Sequence, residues 1–496
     1  MISYVTPMIN KKIDIQDTRE ITGWAYHEMK WLTEAGAKEA DRERNKILQS
    51  ISGRVNSNFL GNKIGPGELS PGCVNCGRGT WSCIFINFLC TAHCFYCPQD
   101  RKKRTDNPPN ESGLIFDNPD DYVDYLEKFK FKGASYSGGE PFLQYEKVLT
   151  YTRKIRERLG KEFYIWLYTN GDLVNKNKLK ALKEAGLNEI RFDISARNYD
   201  LKAVKMAVGI IDTVTVEIPA IPEDYEILKK CLARMKAAGV AHLNLHQLFA
   251  NQHCYKQFND RRYTYLHQPN IPVLESEMTA LKIIKYAVDK NIGLPVNYCC
   301  SIYKHRFQQK AYRKRFLPFI KERFEVSTEA EFIRRLSVQD KPVKLKKLVK
   351  TFRENNGDDR LWSFKKDNSE LFIHHSLLKY VDFSKHDLMV SYFAPQLKST
   401  RDDDNENSRK VALNSCRNIF IERKFVHETT IRNPVAIRSF QELFIKKINN
   451  GDVFKKFYKD YDLKTKADID EMMVEKDRLD YLKSWEFIGE GLYKIY

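Results

Sequence analysis

Between residues 82 and 298 the sequence keeps switching between two patterns, and this rhythm constrains the fold more than anything else in the chain. Short apolar, β-prone runs occur at 82–89, 133–137, 163–168, 189–194, 213–218, 242–248 and 294–298. Between them lie stretches with helical periodicity at 118–130, 145–159, 178–185, 201–208, 226–238 and 275–290. Asn118 is a suitable helix cap, with Asp120 and Asp121 in the first turn and Tyr122, Tyr125, Leu126 and Phe129 on one face. Gly186 and Gly239 stand where two of the helices should stop. Strands alternating with helices at this spacing predict a parallel sheet with helical crossovers. Six or more such units predict a full or partial (β/α) barrel, whose chemistry belongs at the C-terminal ends of the strands.

The loop after the first predicted strand carries Cys90, Cys94 and Cys97, a C-x3-C-x2-C spacing. Thiolates are soft ligands that select iron–sulfur clusters, zinc or copper(I). Three of them can hold three irons of a [4Fe–4S] cube, leaving one iron to take another ligand. A zinc knuckle or a set of buried core cysteines is the alternative reading, although structural zinc normally takes four protein ligands. Forty residues further on, Gly138-Gly139-Glu140-Pro141 closes the second predicted strand. Tyr168-Thr169-Asn170-Gly171 and Phe192-Asp193-Ile194-Ser195 close the next two.

The cysteine triplet with Tyr96 before its last member, followed at this distance by GGEP, resembles the signature of the radical S-adenosylmethionine (radical SAM) superfamily. The resemblance covers about residues 80–300 and implies a partial (β/α)6 barrel. It implies that Cys90, Cys94 and Cys97 hold a [4Fe–4S] cluster whose fourth iron is chelated by S-adenosylmethionine (SAM). It implies one-electron cleavage of SAM to a 5′-deoxyadenosyl radical that abstracts hydrogen from a substrate. Gly138, Gly139 and Glu140 would meet the SAM amino group, and Tyr96 would lie near the adenine. Asn170, Asp193 and Ser195 sit at strand ends within reach of a ribose or carboxylate, and turn or cap duty is an equal reading for each. The stretches Gly72-Cys73-x2-Cys76-Gly77 and Leu294–Cys299, with the residues from Lys304 to Arg315, look like one group of these proteins. That group is described as related to pyruvate formate-lyase activating enzyme and is found widely in archaea. The resemblance assigns no catalytic side chain and no substrate, and its electron would come from a reductant such as ferredoxin or flavodoxin.

Other residues remain open on sequence grounds. Cys73 and Cys76 form a C-x2-C pair, and Cys299-Cys300 follow near the end of the barrel. Together they form a possible second metal site, for zinc or iron–sulfur, against an alternative of free buried thiols. Adjacent cysteines on a strand point to opposite faces, so only one of Cys299 and Cys300 is an easy ligand. His246 and Asn244 alternate across Leu245 and can both face the barrel interior, and a hydrogen-bonded core histidine is the blander reading.

Around the barrel the sequence divides into 1–70, an N-terminal helical extension and loop; 71–305, the barrel; 306–385, a basic helical segment; and 386–496, a small α+β domain. Ile21, Trp24, Ala25, Met29 and Leu32 are spaced for one helix face, and 61–76 is glycine- and proline-rich enough for a loop. In the tail, helices are expected at 329–336, 435–448 and 469–483, and strands at 388–393, 418–425 and 492–496. The net charge is +18, and residues 301–354 carry 16 Lys/Arg against 6 Asp/Glu. Such a surplus fits RNA or an acidic protein as substrate or partner, or a plain solvated surface. No run of about 18 apolar residues occurs, so no membrane partner is expected. With six cysteines clustered between 73 and 97 and no apolar leader pattern, a reducing cytoplasm is the expected location. A non-catalytic zinc protein that binds nucleic acid is the alternative to a radical enzyme.

Overall fold

The computed structural model describes residues 19–23, 25–100, 105–355, 357–398, 407–448, 450–460 and 465–495. The chain separates into two compact units. Of the described residues, one comprises those from Arg19 to Gln309 with 412–417 and the segment from Glu490; the other comprises those within 310–411 and 418–489.

The first unit is built on one sheet. Its edge hairpin is β1 (Asn56–Asn58) and β2 (Lys63–Gly65), and its first central strand is β3 (Trp81–Asn87). A second edge hairpin is β4 (Asn110–Glu111) with β5 (Leu114–Ile115). The remaining strands are β6 (Gly133–Gly138), β7 (Tyr164–Thr169), β8 (Glu189–Phe192), β9 (Thr213–Pro219), β10 (His242–His246) and β11 (Val296–Cys299). The order is β1-β2-β11-β10-β9-β8-β7-β6-β3-β4-β5. Neighbours from β3 to β11 pair in parallel, whereas β2 and β4 join the two ends antiparallel. Six strand–helix units and a final strand therefore make a partial barrel, with hairpins covering both open edges.

The crossover helices form where the sequence places them, because cap and face agree. Asn118 accepts from Asp120 N at 2.9 Å, Pro119 opens the helix Pro119–Lys128, and Tyr122, Val123, Tyr125 and Leu126 are buried. Asn175 caps Lys176–Ala185, Gly186 ends it at φ +102°, and Leu179 and Leu182 point into the core. Each such leucine contributes about 1.5–3 kcal/mol by burial.

Three sequence expectations for this unit change. Ile21 is 59% exposed, and the described residues 25–32 do not continue one helix: a short 3-10 turn spans Tyr26–Glu28, and a regular helix follows at Glu34–Ile51, capped by Thr33. Ala25 and Met29 are buried, and Trp24 lies outside the described residues. The glycine-rich stretch 61–76 is not a plain loop, because β2 pairs with β11 and Ser70 and Pro71 start a helix at Pro71–Arg78. Residues 492–495 form no strand; Gly491 N instead donates to Leu60 O at 2.6 Å, and Ile495 is buried beside Ala37 and Ala40.

The second unit is an antiparallel sheet with helices. Its strands are β12 (Val326–Ser327), β13 (Ile333–Gln339), β14 (Trp362–Phe364), β15 (Glu370–Ile373), β16 (Leu388–Leu397), β17 (Ser408–Ala412) and β18 (Asn418–Ile431). The order is β14-β15-β13-β16-β18-β17, with β12 beside β13. The second half of the helix expected at 329–336 is instead strand β13, which pairs with both β15 and β16, and Glu329 and Ala330 lie in a turn. Arg334 shares the inward face of Leu336 and Val338, where Glu486 pairs it, and Arg335 on the opposite face is held by Glu325, so two adjacent arginines mask the strand's alternation in the sequence. Segments 306–385 and 386–496 thus share one sheet, and part of the basic surplus of 301–354 is spent in buried ion pairs. No helix among the described residues is long and apolar enough to cross a membrane.

Candidate functional site

The cysteine loop lies across the C-terminal ends of the central strands because two glycines let it. Gly139 N donates to Asn87 O at 2.9 Å and Glu140 N to Leu89 O at 2.6 Å, so the end of β6 holds the start of the loop. A Cβ on Gly139 would lie 1.8 Å from Leu89 O, and one on Gly138, at φ +112°, 2.2 Å from Asn87 O. Only glycine admits this approach.

From that loop Cys90, Cys94 and Cys97 line one cavity of about 290 Å³. Its other walls include Tyr96, Gly138, Gly139, Tyr168, Asn170, Asp193, Glu217, His246 and Phe249. Cys97 N donates to Cys94 O at 3.2 Å, which folds the last two cysteines into a turn. Ala92 N and Asn170 Nδ2 donate to the Cys90 sulfur at 3.4 and 3.8 Å. Burial, with Asp193 nearby, pushes the Cys94 thiol up to about 11. Among the described residues no three His, Cys, Asp or Glu side chains are arranged to hold a single metal ion. A cubane makes a different demand, one thiolate per iron spread around its corners. Three thiols on one loop, lining one cavity, with two N–H donors on the Cys90 sulfur, fit that demand.

The strand-end residues separate into two kinds. Tyr96 OH lies 2.9 Å from Asp193 Oδ2 and 2.6 Å from Ser195 Oγ, and Ser195 Oγ donates to Asp193 Oδ1 at 2.6 Å. Burial raises the Asp193 carboxyl against these hydrogen bonds. Tyr96 and Asp193 line the cavity, and Ser195 braces them. Asn170 lines it too, with Nδ2 also donating to Thr91 Oγ1 at 3.0 Å. Glu140 is only 1% exposed. Its carboxylate accepts from Phe142 N, Thr169 Oγ1 and Asn170 N at 2.8–3.0 Å, so it ties the ends of β6 and β7 together.

Below this mouth the barrel is filled by a polar network that joins His246 and Asn244, both expected to face the interior, to Glu189, Arg191 and Glu217, which no motif marks. Arg191 donates to Glu189 Oε1 (2.8 Å), Glu217 Oε2 (2.6 Å) and Ser70 Oγ (2.9 Å). Glu217 also accepts from Asn244 Nδ2 at 3.0 Å and sits 2.6 Å from His246 Nε2. The helix Pro71–Arg78 closes the interior, with Gly72 N donating to Glu189 Oε2 at 3.3 Å. The available signal was charge at inward positions of apolar strands, in Glu189-Ile-Arg191-Phe and in Glu217 of Thr213–Pro219.

The second cysteine group does not form a metal centre among the described residues. Lys63, 1% exposed, lies directly opposite Cys299 in the β2–β11 register, and its ammonium is within electrostatic range of Cys299, Cys73 and Cys76. Despite the cost of burial, these groups and Glu217 hold its pKa above the usual lysine value. The Lys63 ammonium itself lies over the Tyr303 ring, 4.4 Å from the centroid. Cys73 instead accepts from Asn244 Nδ2 at 3.1 Å, and Cys76 from Gln308 Nε2 at 2.9 Å. Cys300 points away and donates to Asn62 O at 3.1 Å.

Residues 84–240 match the family model described as the radical SAM superfamily. The chain is 28% identical over 300 residues to a Methanocaldococcus jannaschii protein named as a candidate glycyl-radical enzyme activating enzyme, covering 58% of this chain and 78% of that one. Among solved structures, Streptococcus suis SuiB bound to S-adenosylmethionine matches at 13% identity with a TM-score of 0.32, over 48% of this chain and 53% of SuiB. Methylornithine synthase, PylB, matches at 13% identity and a TM-score of 0.31, over 54% of this chain and 82% of PylB.

Proposed function

We propose that the chain is an enzyme that uses a [4Fe–4S] cluster on Cys90, Cys94 and Cys97 to cleave SAM and abstract hydrogen from a substrate held in the same cavity. The observation carrying this reading is the gathering of the three cysteines, Gly138, Gly139, Asn170 and Asp193 around one cavity at the C-terminal ends of parallel strands. The bound pair would supply one-electron cleavage of SAM to methionine and a 5′-deoxyadenosyl radical. The chain's own work is to bind, orient and keep out water. Gly138 and Gly139 offer backbone polar groups at the cavity edge, where a bulkier residue would block approach. Tyr96, locked by Asp193 and Ser195, presents a fixed aromatic wall, and Asn170 holds both the Cys90 sulfur and Thr91 in place. Glu140 keeps these strand ends in register.

The likeness to a glycyl-radical activating enzyme makes a protein substrate one member of the reading, beside RNA or a metabolite. A small ferredoxin- or flavodoxin-like reductant is the partner the chemistry calls for. The test is anaerobic reconstitution with iron and sulfide, followed by dithionite and SAM. Brown, iron-loaded protein that releases 5′-deoxyadenosine supports the reading; a colourless zinc protein that leaves SAM intact overturns it.

A further inference from the structure

The cavity has a second wall, formed by Tyr168, Ile218, Pro219, His246, Leu248 and Phe249, that the cluster reading does not use. His246 ends β10, opposite Pro219 on β9 and Cys299 on β11, and its side chain is 26% exposed. Its Nε2 lies 2.6 Å from Glu217 Oε1. Glu217 is firmly ionised: against the cost of burial, Arg191 and then His246 hold its carboxyl well below the usual range. An ionised carboxylate only accepts, so the proton in that contact sits on Nε2. The ring carries no second proton at neutral pH, because burial lowers its pKa, Lys304 and Lys63 add to that effect, and Glu217 only partly opposes it. Nδ1 is therefore a bare lone pair, and among the described residues no protein group bonds it.

The other polar groups of this wall are already satisfied. Arg191 is shared between Glu189 and Glu217, and Asp193 between Tyr96 and Ser195. Gln247 accepts from Ser301 N at 3.0 Å and donates to Val273 O at 3.3 Å. Tyr168 OH accepts from Arg191 Nη1 at 3.4 Å, which leaves its own hydrogen to give. What remains is one acceptor and one donor, both neutral, set among Ile218, Leu248 and Phe249. A charged substrate group would be stripped of water there; the cation beside this wall, Lys304, has its ammonium over the Phe249 ring, 5.0 Å from the centroid, so an anion is the competing occupant that the test must separate.

We propose that His246 Nδ1 is the substrate-facing acceptor of the cavity, that Glu217 is the positioning residue fixing its tautomer, and that the group received is a neutral N–H or O–H donor such as a peptide amide. This rests on the reading of the cavity as a substrate site. The test uses the full-length chain labelled with ¹⁵N-histidine, with the His246 signals identified by their loss in H246Q. Long-range ¹H–¹⁵N spectra should show the proton on Nε2 and a bare Nδ1. Titration with N-acetylglycinamide should move the Nδ1 resonance saturably, with a weaker response in Y168F, whereas sodium acetate at equal concentration should leave it in place. A proton on Nδ1, no response to the amide, or an equal response to acetate overturns the proposal. SAM cleavage by the reconstituted wild type separates the two levels. Cleavage without an amide response refutes this inference alone, and an amide response without cleavage refutes the radical-enzyme reading alone.

Discussion

Replacing Arg191 with Met should destabilise the barrel unit more than almost any other single change in it. The Arg191 side chain is 3% exposed and bonds Glu189, Glu217, Ser70 and Tyr168. Met fills similar space but leaves the two buried carboxylates of Glu189 and Glu217 without the guanidinium that bridges them. Breaking a buried pair from one side costs about 3–5 kcal/mol, far more than the pair's net worth when both partners are removed together. For a unit of this size, each kcal/mol moves the melting temperature by about 2–4 °C, which gives a drop of roughly 6–20 °C. Thermal unfolding by circular dichroism of the full-length chain measures it. R191K should lie between wild type and R191M, because an ammonium cannot reproduce the fork that spans Glu189, Glu217 and Ser70. The triple variant R191M/E189Q/E217Q should recover part of the loss, since it removes the stranded charges. An R191M chain within about 1 kcal/mol of wild type would refute the claim that this network supports the cavity floor.

Other consequences follow from the same geometry. G139A drives a methyl into the Leu89 carbonyl, so the cysteine loop must move; iron bound per chain after reconstitution should fall well below wild type, and full loading would contradict the assigned approach. E140Q turns an amide N–H toward groups that already donate, and should cost about 1–3 kcal/mol in urea unfolding. Burial pushes Cys299 up to about 11 and Cys83 and Cys300 up to about 12. Unfolded thiols ionise near 9, so between about pH 9 and 12 the native state binds more protons and stability falls as pH rises; the fall should be shallower in C83A/C300A. C73A/C76A should bind as much iron and zinc as wild type after reconstitution, because Asn244 and Gln308 bond these thiols and the Lys63 ammonium is within electrostatic range of both; loss of metal would restore a second site.

The barrel was legible because each crossover states its own boundaries, as Asn118 and Pro119 do at one helix and Gly186 at another. The gathering of Cys90, Cys94 and Cys97 with Gly138 and Gly139 was legible because strand ends must meet at one rim of a parallel sheet. Glu140 was harder to read: a carboxylate beside two glycines looks available, yet three N–H and O–H donors from its own and the next strand end consume it. The Arg191–Glu217–His246 network needs knowledge of which strands are neighbours, which no local window holds. The second cysteine group misled for a related reason. Lys63 comes from an edge hairpin inside a glycine-rich stretch, and only its pairing opposite Cys299 shows what lies among the thiols. In the second unit, β13 reads as helix locally because its arginines are paid for by Glu325 and Glu486 elsewhere in the chain.

The central claim is that the Cys90–Cys97 loop holds the cluster that cleaves SAM. Its most direct test is parallel anaerobic reconstitution of wild type and C94A, with iron counted per chain and 5′-deoxyadenosine quantified after dithionite and SAM. Wild type should bind roughly four irons and release 5′-deoxyadenosine, and C94A should lose the cluster and the cleavage together. SAM cleavage by C94A at the wild-type rate, or a wild type that takes up zinc alone and leaves SAM intact, would contradict it.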